Sequence, residues 1–387
     1  MAEWISEWVK LPQDLQHRFF ELAEEESQRL NQTIQMVEKE IQKLKQSLHS
    51  YIDKLPNVDL VSKVAAVDSS RSLRLSERLG IRYGVFASGI IYIKGFEREE
   101  VFEAGVFKRR QAFSEEKSKF FFDLLTTYVE RKLALKALPN SDLVIIDGSF
   151  FSFLYSALKI KKQGLYSKEE EKIVQEIFQD TEALLKSGKV IGIIKRSHTR
   201  VIGGYLALKY GNNLFTSIID KLILSLIMPA RSIFNYHKLI GDKVVHIYNY
   251  IARHASTQLK NILQKAESDV YALFEYLKLD PSEFKNLRRM QVRAYDYAPP
   301  CEIEYPSRIE VGKLLEWIAQ PNFFNEATNL PMALDLVDNM VNLSTKFTDE
   351  FVNEVEGRVL EMIDKNGGNR EAVRVFFSLL NPQKLYY

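Results

Sequence analysis

The sequence is short of most features that would settle a function at sight. Among 387 residues there is one cysteine, Cys301, which excludes an internal disulfide framework and a cysteine-rich zinc site and fits a reducing compartment. Neither charge is in excess: 53 lysines and arginines face 51 acids, for a net charge of +2. No whole-chain field therefore attracts a polyanion, and any nucleic-acid surface must be local. The longest apolar runs, 83–93 and 222–230, are too short to span a bilayer. Glu3, Glu7 and Lys10 interrupt the apolar residues at the start, so no secretory signal is read there, and the expectation is a soluble, cytoplasmic protein with no membrane partner. There is no GxxxxGK[ST] loop, no HExxH pair among the six histidines and no GxSxG elbow. Gly148 and Gly192 stand singly, so no dinucleotide fingerprint exists beside them. Internal repeats and low-complexity linkers are also missing.

What is present is a chain with 46% hydrophobic residues, enough for one large domain with appendages or for two domains. Two short apolar runs organise it: KVAAVDSS, ending at Asp68, and DLVIIDGS, ending at Asp147. Each reads as a buried strand that delivers a carboxylate to a sheet edge. Before them, Trp4, Ile5, Trp8 and Val9 share one side of a short helix that is expected to dock on something. Leu30, Ile34, Val37, Ile41, Leu44, Leu48, Tyr51 and Leu55 then form a heptad seam closed by Pro56, either a dimerising or partner-binding coiled coil or a helix packed along its own domain.

From Lys63 the pattern turns to strands. The run to Asp68, Ile81–Lys94 and Val101–Lys108 suggest an antiparallel meander. A helix follows over Glu115–Ala137, with Ser114 as N-cap and Glu115 and Glu116 in its first turn. Next come strand Leu143–Asp147, a helix from near Phe150, a charged helix over Tyr166–Ser187 and strand Val190–Ile194, which ends in KRSHTR. This β-β-β-α-β-α-β order gives a mixed α/β sheet with helices on its faces. Further on, Leu214–Ile227 reads as a buried helix and Gln258–Leu279 as a helix of mixed charge, while Ile233–Phe234, Val244–Ile251, Gln291–Tyr297 and Glu302–Val311 read as strands. Closing helices are expected over Asp349–Lys365 and Arg370–Leu380.

The same element order serves ribonuclease H-like domains, and the motifs AAVDSSR, VERKLALKAL, LVIIDGS, VIGIIKRS and NLPMALDLVDNM resemble those of the NurA family of nucleases. The likeness runs from about Lys63 to Phe347. It implies a nuclease domain over 61–347, flanked by an N-terminal helical segment, 1–60, and C-terminal helices, 348–387. By that match the metal site falls on Asp68, Glu130, Asp147 and Asp338, and the basic residue on Lys195. It further implies a homodimer that works beside a HerA-type hexameric ATPase in DNA end resection and double-strand break repair, with 5′-to-3′ exonuclease and single-strand endonuclease activities. Two positions depart from the family pattern: Leu330 stands where many relatives have tyrosine, and Asp338 where many have histidine. Aspartate remains a competent oxygen ligand for Mn²⁺ or Mg²⁺.

The residues point to similar chemistry by themselves. Phosphodiester hydrolysis needs an activated water and neutralised charge on the attacking and leaving oxygens, which two divalent ions about 3.5–4 Å apart supply. Asp68 and Asp147 at strand ends are suited to hold them. Taken alone, Glu130 beside Arg131 and Lys132 reads as a solvated helix charge, but Thr126, Thr127, Ala134 and Ala137 on its face leave room for a metal. Asp68 and Asp147 read alone as turn chemistry before small residues. Lys195 is placed to orient the scissile phosphate. Arg71, Arg74, Arg196 and Arg200 are candidates for the DNA backbone, while Arg196 and Arg200, with His198 between them, read equally as a solvated basic loop. The clusters Lys108–Arg109–Arg110, Lys159–Lys161–Lys162 and Lys285–Arg288–Arg289–Arg293 read either as a DNA channel or as solvated faces. Glu302 and Glu304 read either as approaching the site or as alternating polar positions on an exposed strand. The rival functions are a phosphotransferase of the actin and sugar-kinase type, and a non-catalytic DNA-binding or assembly subunit.

Overall fold

In the computed structural model, residues 10–78, 80–110, 112–164, 167–255, 261–371, 373 and 375 are described. Trp4, Ile5, Trp8, Val9 and most of the expected helix after Arg370 lie outside them. The chain divides into two compact units, Met1–Ile52 and Asp53–Tyr387.

The first unit carries one long helix, α1 (Gln13–Leu48), entered after Pro12, whose fixed φ suits the position before a first turn. Its seam is uneven: Leu30 and Ile34 are exposed, whereas Ile41, Leu44 and Leu48 are buried. The helix stops at Leu48, short of Pro56. Tyr51 lies in a 3₁₀ turn and Leu55 lies beyond the next strand, so neither extends the heptads.

The second unit is built on a ten-stranded mixed sheet. Its strands are β1 (Ile52–Lys54, where the unit boundary falls), β2 (Val64–Arg71), β3 (Ser76–Arg78), β4 (Ile81–Lys94), β5 (Glu97–Arg110), β6 (Leu143–Asp147), β7 (Val190–Ile194), β8 (Ser232–Asn235), β9 (Leu287–Arg293) and β10 (Cys301–Pro306). The order across the sheet is β1-β8-β9-β10-β7-β6-β2-β4-β3, with β5 on the edge of β4. Strand β6 runs parallel to both β2 and β7; the neighbours beyond, β4 and β10, run antiparallel. The meander expected around β2, β4 and β5 is present, with β3 as a short insertion.

The three central strands are apolar on both faces because each face has its own core. Ala65, Val67, Val144, Ile146 and Val190 pack into one cluster with α2 (Glu115–Ala137), α3 (Ser152–Lys162), α4 (Lys168–Ser187) and the end of α9 (Ile262–Leu277). Val64, Ala66, Leu143, Ile145, Ile191 and Ile193 pack into the other with β9, β10, α10 (Val311–Ile318) and α11 (Met332–Val341). Burying each of these isoleucine or valine side chains stabilises the fold by about 1.5–3 kcal/mol, so strand register is strongly specified. Helix α2 starts as expected at Ser114, whose hydroxyl accepts from Lys117 N at 3.1 Å.

Several local expectations do not hold. Val245–His254 is a helix, α8, lying after α5 (Val201–Tyr210), α6 (Asp220–Ile227), β8 and α7 (Tyr236–Ile240), not a strand. Its β-branched content suggested a strand, yet Val245, Tyr248, Asn249 and Ala252 fall at helical spacing and are buried, so packing overrides propensity. The buried helix expected from Leu214 begins only at Asp220. Strand β9 begins at Leu287 and ends at Arg293 rather than running to Tyr297; β10 ends at Pro306. The last described helix is α12 (Phe347–Lys365).

Gly192, in the middle of β7, sits where a Cβ would approach Gly148 O to 2.5 Å. That close approach holds the turn after Asp147 against β7, through a Gly148 N to Ile193 O bond of 2.7 Å. Gly192→Ala is expected to lower stability by about 1–3 kcal/mol and displace this turn; a fall in the thermal midpoint checks the first, and a crystal structure the second.

Candidate metal centre

Strand alternation brings the acids together. On β2, β6 and β7, side chains at Ala66, Ile145 and Ile193 face the core beneath α11, so Asp68, Asp147 and Lys195, each an even step onward, share that face. Register puts Val67 opposite Ile146 and Asp147 opposite Ile193, which sets the three where the parallel pairing of β2, β6 and β7 stops; Asp68 is not at a strand end as expected, because β2 runs on to Arg71 by pairing with β4. Asp338 reaches them from α11, whose Ala333, Leu334 and Val337 anchor in the same core. The Lys195 ammonium then stands 2.9 Å from Asp338 Oδ2, 3.3 Å from Asp147 Oδ2 and 3.8 Å from Asp68 Oδ2.

Glu130 comes from the other face. It lies in the row Phe122, Thr126, Glu130, Ala134 of α2, which the helical period turns onto the sheet. Far from being solvated, it is buried, with Oε2 accepting from Ser69 Oγ at 3.1 Å and Oε1 2.5 Å from Arg131 Nη1. Arg131 is itself only 1% exposed. Glu130 thus joins the cluster through Ser69, next to Asp68, rather than by meeting Lys195.

The electrostatics follow from crowding. Burial, then the charges of Asp147 and Glu130, push Asp68 up to about 9 despite the pull of Lys195. Burial also raises Asp147, against the opposing effect of Lys195, and raises Glu130, against Arg131. Burial works against the Lys195 ammonium, but Asp147, Asp68 and Asp338 outweigh it and hold its pKa above the ordinary lysine value.

Among the described residues no three acid, histidine or cysteine side chains converge closely enough to grip an ion as they stand. Lys195 occupies the space between three of the acids. The donor set nevertheless fits a divalent cation. Four carboxyl groups face only two bases, Lys195 and Arg131, so with every acid ionised the cluster is short of positive charge, and all the donors are hard oxygens suited to Mg²⁺ or Mn²⁺. Asp68, Asp147 and Asp338 are the residues that would hold it, competing with Lys195, with Glu130 behind Ser69.

The expected phosphate-binding arginines are dispersed in their roles. Arg74, Arg196 and His198 are exposed. Arg71 pairs with Asp123 and lies over the Phe122 ring, while the Arg200 backbone N–H donates to Asn249 at 2.7 Å. The larger basic clusters are not uniform faces: Arg109 turns inward onto Glu170 at 2.5 Å, Arg293 donates to the Ser225 and Met228 carbonyls, and Arg289 is buried.

Sequence reasoning missed the polar layer under β9 and β10. Glu302 and Glu304 alternate with Ile303 and Tyr305 as an exposed strand would, but they are 0% and 1% exposed and bind Arg289, Gln291, Ser149, Ser197 and Thr199. A signal was available in the sequence: the alternation Arg289, Gln291 on one strand matches Glu302, Glu304 on the next with complementary charge.

Fold and site together define a mixed α/β domain with a carboxylate centre at the end of its parallel strands. The NurA domain family matches residues 62–342, and the chain belongs to that family. Its structure is similar to that of the NurA nuclease from Sulfolobus solfataricus, at 12% identity and a TM-score of 0.54, over 91% of this chain and 98% of that one. Another NurA crystal structure is 13% identical with a TM-score of 0.45, over 89% of this chain and 99% of its own. A NurA bound to dAMP and manganese is 12% identical with a TM-score of 0.40, over 82% and 94%. No curated protein matched the sequence.

The raised Asp68 carboxyl has a sign that can be tested without DNA. The folded chain holds this proton more tightly than the unfolded chain does, so Asp68 favours folding below about pH 4 and that contribution is lost as pH rises toward about 9. In chelator at pH 8, Asp68→Asn is expected to melt a few degrees above wild type, the gap narrowing toward pH 4; calorimetry across that range checks it.

Proposed function

We propose that this chain is a divalent-metal-dependent DNA nuclease that hydrolyses phosphodiester bonds at the Asp68, Glu130, Asp147, Asp338 and Lys195 cluster. The observation that carries the reading is the meeting of three carboxylates, one from within β2, one from the end of β6 and one from a helix, around one lysine, with a fourth behind Ser69. Membership of the NurA family supports it, as does the likeness in fold to a protein named a nuclease.

Divalent ions bound there, Mn²⁺ or Mg²⁺ and two in number by our reading, would neutralise charge at phosphorus and make water a nucleophile near neutral pH. Asp68 and Asp147, on rigid adjacent strands, would hold them, and Asp338 would complete the set from α11. Glu130 keeps the Ser69 hydroxyl, and with it the part of β2 beside Asp68, in place and adds negative charge. Once released from the acids, Lys195 turns its ammonium to a non-bridging phosphate oxygen and balances charge there as the bond breaks. The exposed Arg74 and Arg196, with Arg71 and Arg200, lie in the segments that follow Asp68 and Lys195 and are proposed to contact the DNA backbone without reading bases.

The wider role we propose is that of a homodimer docking on a HerA-type hexameric ATPase, which supplies DNA during end resection in double-strand break repair. Both 5′-to-3′ exonuclease and single-strand endonuclease cleavage belong to this reading. The strands form one sheet among the described residues and do not divide into two related halves, which speaks against a kinase of the actin type.

The test is cleavage of end-labelled single- and double-stranded DNA in Mn²⁺, Mg²⁺ or chelator, alone and with a cognate translocase. Metal-dependent products are expected, with label position giving polarity, and Asp147→Ala should fall to less than about a hundredth of the wild-type rate. Folded wild-type protein that cleaves nothing under any of these conditions would leave a non-catalytic assembly subunit as the better account.

A further inference from the structure

We infer that Arg289 is a positioning residue for the cleavage reaction, fixing the separation between the turn that follows Asp147 and the turn that follows Lys195. The inference rests on the nuclease reading above.

Antiparallel register sets Arg289 of β9 opposite Glu304 of β10, and Gln291 opposite Glu302. All four side chains are buried. They lie on the face away from α11, because Met290, Val292, Ile303 and Tyr305 fill the core on the α11 side. The guanidinium spends its whole fork: Nε lies 2.7 Å from Glu304 Oε1, and Nη1 2.7 Å from Glu302 Oε1 and 3.2 Å from Thr199 Oγ1. Nη2 lies 3.1 Å from both Ser149 Oγ and His246 Nε2. Burial, then Arg289 itself, pushes the His246 pKa well down, so the neutral ring accepts this bond.

Each glutamate fastens one turn. Glu304 accepts from Ser149 Oγ at 2.9 Å and from Phe150 N at 2.7 Å, immediately after Asp147 and Gly148. Glu302 accepts from Thr199 Oγ1 at 2.7 Å and from Ser197 Oγ, shortly after Lys195. Among the described residues Arg289 alone touches both glutamates and both turns. A planar fork sets distance and angle together, which the point charge of a lysine does not.

Stability is a poor reason for this arrangement. Taking one base and two acids out of water is expensive, and apolar residues of similar volume generally hold a core as well or better. What a triad does supply is fixed geometry, here between the residues that carry Asp147 and Lys195, themselves 3.3 Å apart across the sheet. Arg289 acts on them only through the two turns, since it lies on the opposite face.

The test compares steady-state cleavage by wild type, Arg289→Lys, Ser149→Ala, Thr199→Val and the Ser149→Ala/Arg289→Lys double variant, alongside thermal midpoints and Mn²⁺ binding followed by electron paramagnetic resonance. Arg289→Lys is expected to lower kcat by about 10- to 100-fold with KM for DNA unchanged and the protein folded at the assay temperature. The double variant should lose less than the product of its single losses, because both act on one linkage. Wild-type kcat in Arg289→Lys, or losses that simply multiply, would overturn the inference. Should Arg289→Lys fail to fold, Ser149→Ala and Thr199→Val keep every charge and each free one turn. A several-fold drop in kcat at constant KM in both supports the inference, and wild-type kcat in both overturns it. A wild type that cleaves nothing sinks the nuclease reading, and this inference with it.

Discussion

The structure depends on keeping like charges close. Asp68, Asp147 and Asp338 are drawn to a shared lysine, yet Asp68 is pushed up to about 9 in spite of it. No flexible loop would hold such a group together, since the carboxylates would separate into water. Here the parallel trio β2, β6 and β7, buried on both faces, fixes two of the acids and the lysine. Helices anchored in opposite cores fix the remaining acids, Glu130 from α2 and Asp338 from α11. The apolar sheet is in effect the restraint that electrostatic repulsion works against, and a bound cation would relieve that repulsion.

Much of this was legible in the sequence because the central strands are short uninterrupted apolar runs with an acid at the end. β6, β7 and α2 fall on the expected residues, including the Ser114 cap. The same period-two rule that marks the strands also explains why Asp68, Asp147 and Lys195 share a face. Glu130 is legible only as a member of the row Phe122, Thr126, Ala134; its charged neighbours Arg131 and Lys132 disguise it. Arg131 is buried beside it, contrary to what a mixed-charge stretch suggests.

What was not legible is what depends on partners distant in sequence. The helix Val245–His254 has the composition of a strand and is decided by what it packs against. Strands β9 and β10 show apolar and polar residues in alternation, the signature of a sheet with one wet face. That face is covered, and its charges satisfy one another instead of water. Basic clusters mislead in the same way, since a run such as Lys285–Arg293 contains one arginine at an aspartate, one in the buried triad and one on backbone carbonyls. A local charge count cannot separate these fates.

Cys301 begins β10, wholly enclosed in the core on the α11 side, and burial pushes its thiol up to about 12. So shielded and so reluctant to ionise, it is inert toward alkylating and oxidising reagents while the sheet is closed. The sequence therefore comes with a silent cysteine background. A second cysteine introduced at an exposed position takes a fluorophore or spin label selectively, and slow modification of Cys301 itself becomes a clock for the opening of the sheet.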